Sequence, residues 1–235
     1  MKYFTKGEKL LWTVSVAAVI GSFLLFDRTN LLTLSASLVG VTSLLFNAKG
    51  NPIGQVLMVL FSLMYGIISW QAQYYGEMIT YLGMTMPMAV FALIAWLSNP
   101  FGGNRAEVAV NRITRGEWLL CALLTIAVTV GFYFLLRAFR TQQLFFSTLS
   151  VTTSFAAVYL TWRRSPLFAV AYAANDIVLI ILWCLAAAED SSCLSVVVCF
   201  AAFLGNDIYG YLSWQHMARR QAATLENCTV WPERQ

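Results

Sequence analysis

The chain has 235 residues, 59% of them hydrophobic and 11% charged, with a formal net charge of +4 and a mean hydropathy of +0.68. An average soluble domain carries roughly 25% charged residues, so a soluble globular protein is excluded and an all-α integral membrane protein is expected. The small positive charge calls for no nucleic-acid partner.

Eight apolar runs are each long enough for a hydrocarbon core that takes about 20 helical residues. They fall at about 10–26, 30–46, 52–70, 77–97, 117–137, 142–162, 167–187 and 193–214. The first follows the basic stretch "MKYFTKGEKLLW" with no small-residue cleavage site, so it reads as a retained helix. The second, "TLSASLVGVTS", and the sixth, "STLSVTTS", are rich in hydroxyls. In membrane helices such groups mostly bond their own i−4 carbonyl or a neighbouring helix; Ser150 and Ser154 are kept as candidates for a ligand.

The third span carries Ser62, Tyr65 and Gly66 and ends in "SWQAQYYGE". Tyr74 and Tyr75 read as interfacial anchors. For Trp70 the anchor and site readings stand level, and Gln71 joins it as a candidate. In the fourth, "YLGMTMPMAV", Pro87 removes a donor and crowds the carbonyl of Gly83, so a kink is expected there. A hinge at Gly83 and Pro87 and a purely structural kink both remain open; Tyr81 and Thr85 lie one turn apart on one side. The segment 98–118, with Pro100 and Gly102-Gly103, reads as a polar linker.

The seventh span, "AYAANDIVLIILW", holds a carboxylate at mid-depth, which costs roughly 3 kcal/mol on insertion scales unless it faces the bundle interior. Tyr172, Asp176, Leu179 and Trp183 form one stripe, and Asn175 points about 100° away toward a neighbouring helix. In the eighth, "GNDIYGYLSW", Asn206, Tyr209, Gly210 and Ser213 share one face, and Asp207, Tyr211 and Trp214 another. The Asn206–Tyr209 face is favoured for the pathway because Gly210 allows close approach.

Twelve cations, Lys2, Lys6, Lys9, Lys49, Arg105, Arg112, Arg115, Arg163, Arg164, Arg219, Arg220 and Arg234, fall on the N-terminal side. Arg28, Arg137 and Arg140 fall opposite, which places both termini in the cytoplasm. Cys121, Cys184, Cys193, Cys199 and Cys228 show no metal-ligand spacing and read as small fillers; Cys184 and Cys193 lie near the outer face, where a pair could form. Asn227-Cys228-Thr229 matches a sequon but lies in the tail. With one histidine, His216, and no Walker, GxGxxG, HExxH or GxSxG motif, no catalytic, metal or cofactor site is expected.

The chain also repeats. "GEKLLW" at 7 returns as "GEWLLC" at 116, Thr33-Leu34-Ser35 as Thr148-Leu149-Ser150, Pro52 as Pro166, Trp70 as Trp183 and Glu77 as Asp190. Four spans per unit give parallel repeats about an axis along the membrane normal, with a ligand held between them. Rings, amides and carboxylates suit a flat aromatic ligand bearing hydroxyls and a positive charge. Without an embedded Lys or Arg, an unphosphorylated compound is expected.

The stretch "FNAKGNPIGQVLMVLFSLMYGIISWQAQYYGEM" resembles the first-half signature of PnuC-type vitamin transporters, whose characterised members carry nicotinamide riboside. "RRSPLFAVAYAANDIVLIILW" and "NDIYGYLSW" resemble the second half. The resemblance covers about residues 30–97 and 142–214 and implies two three-helix bundles in a SWEET-like arrangement, with the fifth span as linker and the first as an extra helix. It divides the chain into 1–29, 30–97, 98–141, 142–214 and 215–235. It also implies a facilitator in the bacterial inner membrane, driven by a cytoplasmic kinase that phosphorylates the substrate, and an oligomer, a trimer in some members. Tyr172 stands where family members that take nicotinamide riboside have Trp; relatives carry thiamine, riboflavin or deoxynucleosides, and proton coupling through Asp176 or Asp207 is the alternative mechanism. The expected substrate contacts are Tyr172, Asn175, Asp176, Trp183, Asn206, Tyr209, Trp70, Gln71, Tyr65, Tyr81, Ser150 and Ser154. For Asp176, contact with the ligand and bracing of the pocket through Asn206 both stay open.

Overall fold

The computed structural model describes residues 3–28, 30–141 and 143–229, with 227–229 as backbone alone. Lys2, Arg234 and the side chains of the Asn227–Thr229 sequon, Cys228 included, lie outside the described residues.

Eight helical segments are long and apolar enough to cross a membrane. Helix α1 spans Lys6–Phe26, α2 Leu31–Ala48 and α3 Ile53–Gln71. The fourth segment is composite: α4 (Tyr75–Thr80), a π-helical turn (Tyr81–Thr85) and α5 (Met86–Leu97). Then come α6 (Arg115–Ala138), α7 (Leu144–Trp162), α8 (Phe168–Ala187) and α9 (Leu194–Thr229).

Segment 98–118 is not plain linker. Strands β1 (Pro100–Phe101) and β2 (Asn104–Val108) form a hairpin through Gly102-Gly103. Nor does α9 stop at 214. "QHMARRQAATLENCT" contains good helix formers and no breaker, so the helix outlasts its apolar stretch. Its extension meets the hairpin: Gln221 Nε2 donates to the Val108 carbonyl at 3.0 Å, and Arg220 pairs with Glu107.

The repeat is written into the caps. Thr5 and Thr114 each open a helix with a capping box, accepting from the backbone N–H of Glu8 and Glu117 at 3.2 and 3.3 Å. The carboxylates of Glu8 and Glu117 return to the threonine N–H groups, both at 2.7 Å, satisfying donors that a helix start leaves open. Each also pairs with a cation in a later turn, Lys49 and Arg163 respectively.

Those turns match as well. After α2, Asn51 N–H donates to the Phe46 carbonyl; after α7, Ser165 N–H donates to the Leu160 carbonyl, each at 3.0 Å. Gly50 and Arg164 both take positive φ there, +65° and +58°. The offset is therefore 114 from α2 into α3, which shifts the Thr33 and Trp70 matches by one residue. Thr33 pairs with Ser147, and Trp70 with Cys184 rather than Trp183.

In packing, α2 lies on α3 and α3 on α5, while α7 lies on α8 and α8 on α9. Between halves, α2 meets α9 and α5 meets α7. Exchanging the halves leaves this neighbour scheme unchanged, as parallel repeats require. Helix α1 rests on α2 and α9, and α6 on α7.

On the side carrying the termini, each half staples the other. Trp96 Nε1 of α5 donates to the Thr161 carbonyl ending α7 at 3.0 Å, and Trp214 Nε1 of α9 donates to the Asn47 carbonyl ending α2 at 2.7 Å. The two indoles meet at 5.4 Å. Each carbonyl also accepts a turn N–H, from Arg164 and Gly50 respectively, so the indole adds a second hydrogen bond at the helix end.

Candidate functional site

At mid-depth α3, the π-helical turn, α8 and α9 bring rings and carboxyls together. The predicted stripe of α8 faces inward: Asp176, Leu179 and Trp183 are buried, and Tyr172 is half-buried. Asn175 turns to α7, where its Oδ1 accepts from Thr153 at 2.8 Å and Ser154 at 3.0 Å. Trp183 Nε1 donates to the Tyr65 hydroxyl at 2.5 Å. Tyr65 lies 4.3 Å from Tyr81 and 5.4 Å from Phe200, centroid to centroid, and Tyr74 closes on Trp183 at 5.2 Å.

Pro87 acts as expected in place but not in kind. The missing donor and crowded carbonyl are absorbed by the π-helical turn at Tyr81–Thr85, where Met86 N–H reaches back to the Tyr81 carbonyl. Such turns cluster at functional positions. This one places Tyr81 and Thr85 inside while Gly83 stays exposed and Pro87 half-buried.

On α9 the favoured face is reversed. Asn206 Nδ2 donates to Ser15 of α1 at 2.9 Å, and the Tyr209 hydroxyl to Glu8 Oε1 at 2.9 Å. Both are taken up by the first helix. Asn206 Nδ2 is shared between Ser15 and the Ala202 carbonyl, so it does not brace Asp176, while Asp207 is buried on the other face of α9. A Cβ added at Gly210 would meet Ala169 at an ordinary 3.8 Å, so the glycine is not required for close approach on its face. Trp70 is 61% exposed: one residue of helix is about 100°, and the shifted register turns it outward.

Sequence reasoning passed over Glu77. It reads as a boundary acid, yet its relative exposure is 0%. Gly76 permits this, because a Cβ there would lie 2.9 Å from Thr141 and 3.0 Å from Leu136; α4 thus tucks against the end of α6, the turn after it and α7. Ser150 reaches Glu77 Oε2 at 3.4 Å. Glu77 Oε1, Asp176 Oδ2, Ser62 Oγ, Ser69 Oγ and Thr85 Oγ1 are buried without a hydrogen-bond partner. Native interiors leave few such groups, and these five sit on α3, α4, the π-helical turn and α8, where they are available to a polar ligand.

From the side opposite the termini, a cavity of about 160 Å³ reaches Trp183, lined also by Gln71, Asp27, Asn30, Ile68 and Asp190. The backbone N–H of Ser192 holds the Asp190 carboxyl below the usual carboxylate range. Burial pushes the Tyr74 phenol up to about 12. Tyr74 therefore stays neutral, and Asp190 gives the mouth negative charge near neutral pH, which draws cations.

A cavity of about 490 Å³ on the terminal side has Lys49, Arg220, His216 and Tyr209 in its walls. Lys49 pairs with Glu8 and Arg220 with Glu107, so its strongest charges are spent within the protein. Cys121, Cys184, Cys193 and Cys199 are all free.

Two parallel helical halves enclosing a polar, ring-lined centre, with a cavity reaching it from the side opposite the termini, have the architecture of a multi-pass membrane transporter. Residues 30–216 match the family described as nicotinamide mononucleotide transporter, and the chain belongs to that family. It is 23% identical to the nicotinamide riboside transporter PnuC of Neisseria mucosa, over 90% of this chain and 82% of that one. It is likewise 23% identical to that of Haemophilus influenzae, over 80% and 81%. A crystal structure of the vitamin B3 transporter PnuC superimposes with a TM-score of 0.81 at 20% identity, over 94% of this chain and 95% of that one.

Proposed function

We propose that the chain facilitates uptake of nicotinamide riboside by alternating access, with net flux maintained by a cytoplasmic kinase that phosphorylates the arriving nucleoside. One observation carries the choice of cargo. Among the described residues Glu8, Asp27, Glu77, Asp176 and Asp207 are buried, whereas no lysine or arginine is. A phosphate at that depth needs an Arg or Lys partner. A ribosyl pyridinium needs aromatic faces and acceptors. This favours the riboside of the relatives' names over the mononucleotide of the family description.

In this reading Tyr65, Tyr81, Tyr172 and Trp183 flank the ring, and Asp176, Asn175, Ser150 and Ser154 meet amide and ribose. Gln71 lines the approach, the Gly83–Pro87 turn is the hinge, and Asn206 and Tyr209 couple α9 to α1. Residues 30–97 and 142–214 move as two bundles about the linker 98–141, with 1–29 and 215–235 outside them. The positive loops support termini in the cytoplasm of a bacterial inner membrane, and the lipid-facing α6 leaves room for a homo-oligomer. Proteoliposomes holding the full chain should take up labelled nicotinamide riboside saturably. Excess unlabelled riboside should compete and the mononucleotide should not. Saturable uptake of thiamine, riboflavin or a deoxynucleoside in its place overturns the reading.

A further inference from the structure

We infer that Glu77 is the counter-charge for the cationic ring of the substrate and sets the preference for a ribosyl pyridinium over an uncharged analogue; this rests on the substrate reading above. Three carboxyls lie in the ring-lined centre. Asp176 of α8 and Asp207 of α9 are both buried on helices packed against each other, and like charges in one buried site disfavour each other's ionisation.

The buried acids elsewhere are committed as well. Glu8 pairs with Lys49 at 3.0 Å, and Asp27 Oδ1 accepts from the Asn30 N–H at 3.2 Å. Glu77 differs. Its one described polar contact is the 3.4 Å reach from Ser150, and Oε1 has none. It precedes Tyr81 by four residues, about one helical turn, and the Tyr81 ring lies 4.3 Å from that of Tyr65. Ring faces and a carboxylate both attract a desolvated cation. A pyridinium at these tyrosines is then compensated from two sides, and the free oxygen gains a partner.

The test compares nicotinamide riboside with its reduced dihydropyridine form, which keeps the amide and ribose but has no charge. Affinities are measured by calorimetry on the full chain in nanodiscs. The wild type should bind the cation at least tenfold tighter. Glu77→Gln, nearly isosteric, should lose about tenfold for the cation and stay within twofold for the reduced form. A preference that survives Glu77→Gln, or equal wild-type affinities, overturns the assignment. If Glu77→Gln is not monodisperse, Asp176→Asn and Asp207→Asn decide: both should keep the preference, and its loss in either overturns the assignment. Failure of the wild type to bind either form removes the substrate reading itself, a different result from equal binding.

Discussion

The terminal side and the middle of the bundle treat the same repeat in opposite ways. On the terminal side the halves are near copies: Thr5 and Thr114 cap alike, Glu8 and Glu117 reach turn cations, and Trp96 and Trp214 exchange hydrogen bonds with the opposite half. In the middle, equivalent positions diverge. At the offset of 114, Ser62 matches Asp176, Tyr65 matches Leu179 and Ser69 matches Trp183. Counting from the stapling tryptophans, Ala89 matches Asp207. Symmetry is kept where two halves must close on each other and broken where one asymmetric ligand must fit between them, because a two-fold site presents every group twice.

The widest departure from symmetry is Trp183, which crosses to Tyr65 where its counterpart is the small Ser69. Trp183→Ala should weaken nicotinamide riboside binding about 30- to 100-fold, the 2–3 kcal/mol of a buried aromatic anchor, by calorimetry in nanodiscs. Ser69→Ala should change it less than threefold. Comparable losses in both would mean that the halves contribute equally and that the asymmetry is not functional.

The symmetric side makes a prediction about equality. Trp96→Phe and Trp214→Phe each remove one donor to a helix-end carbonyl while keeping the ring contact. Each should lower stability by about 1 kcal/mol and the two should agree within about 0.5 kcal/mol, measured by thermal unfolding in one detergent. The double variant should deviate from additivity, since the rings touch. Clearly unequal single effects would break the claim that this end is a two-fold closure.

Much of this was legible in advance. The eight spans follow from hydropathy, the likeness of α1 and α6 from "GEKLLW" and "GEWLLC", and the inward face of α8 from the cost of Asp176 in lipid. What escaped was tertiary. Glu77 opens its span and so looks interfacial; only the tuck of α4 at Gly76 buries it. On α9 two polar faces competed, and periodicity cannot tell which one α1 will cover. The hairpin and the helix beyond Trp214 lie past the apolar signal, where propensity and a few side-chain contacts decide.

The smallest expected effect concerns the register that separates Trp70 from Trp183. Sequence similarity pairs the two indoles, but the matched turns fix the offset at 114, and a slip of one residue rotates a helical side chain by about 100°. Trp70 thereby falls on the outer surface, 61% exposed, while Trp183 is 1% exposed. Trp70→Leu keeps an apolar side chain toward lipid and should leave riboside affinity within twofold and stability within about 0.5 kcal/mol, by the same calorimetry and unfolding. A loss at Trp70 approaching that at Trp183 would restore the offset of 113 and bring Trp70 back to the pathway, so this near-neutral substitution tests the register on which the whole comparison of halves depends.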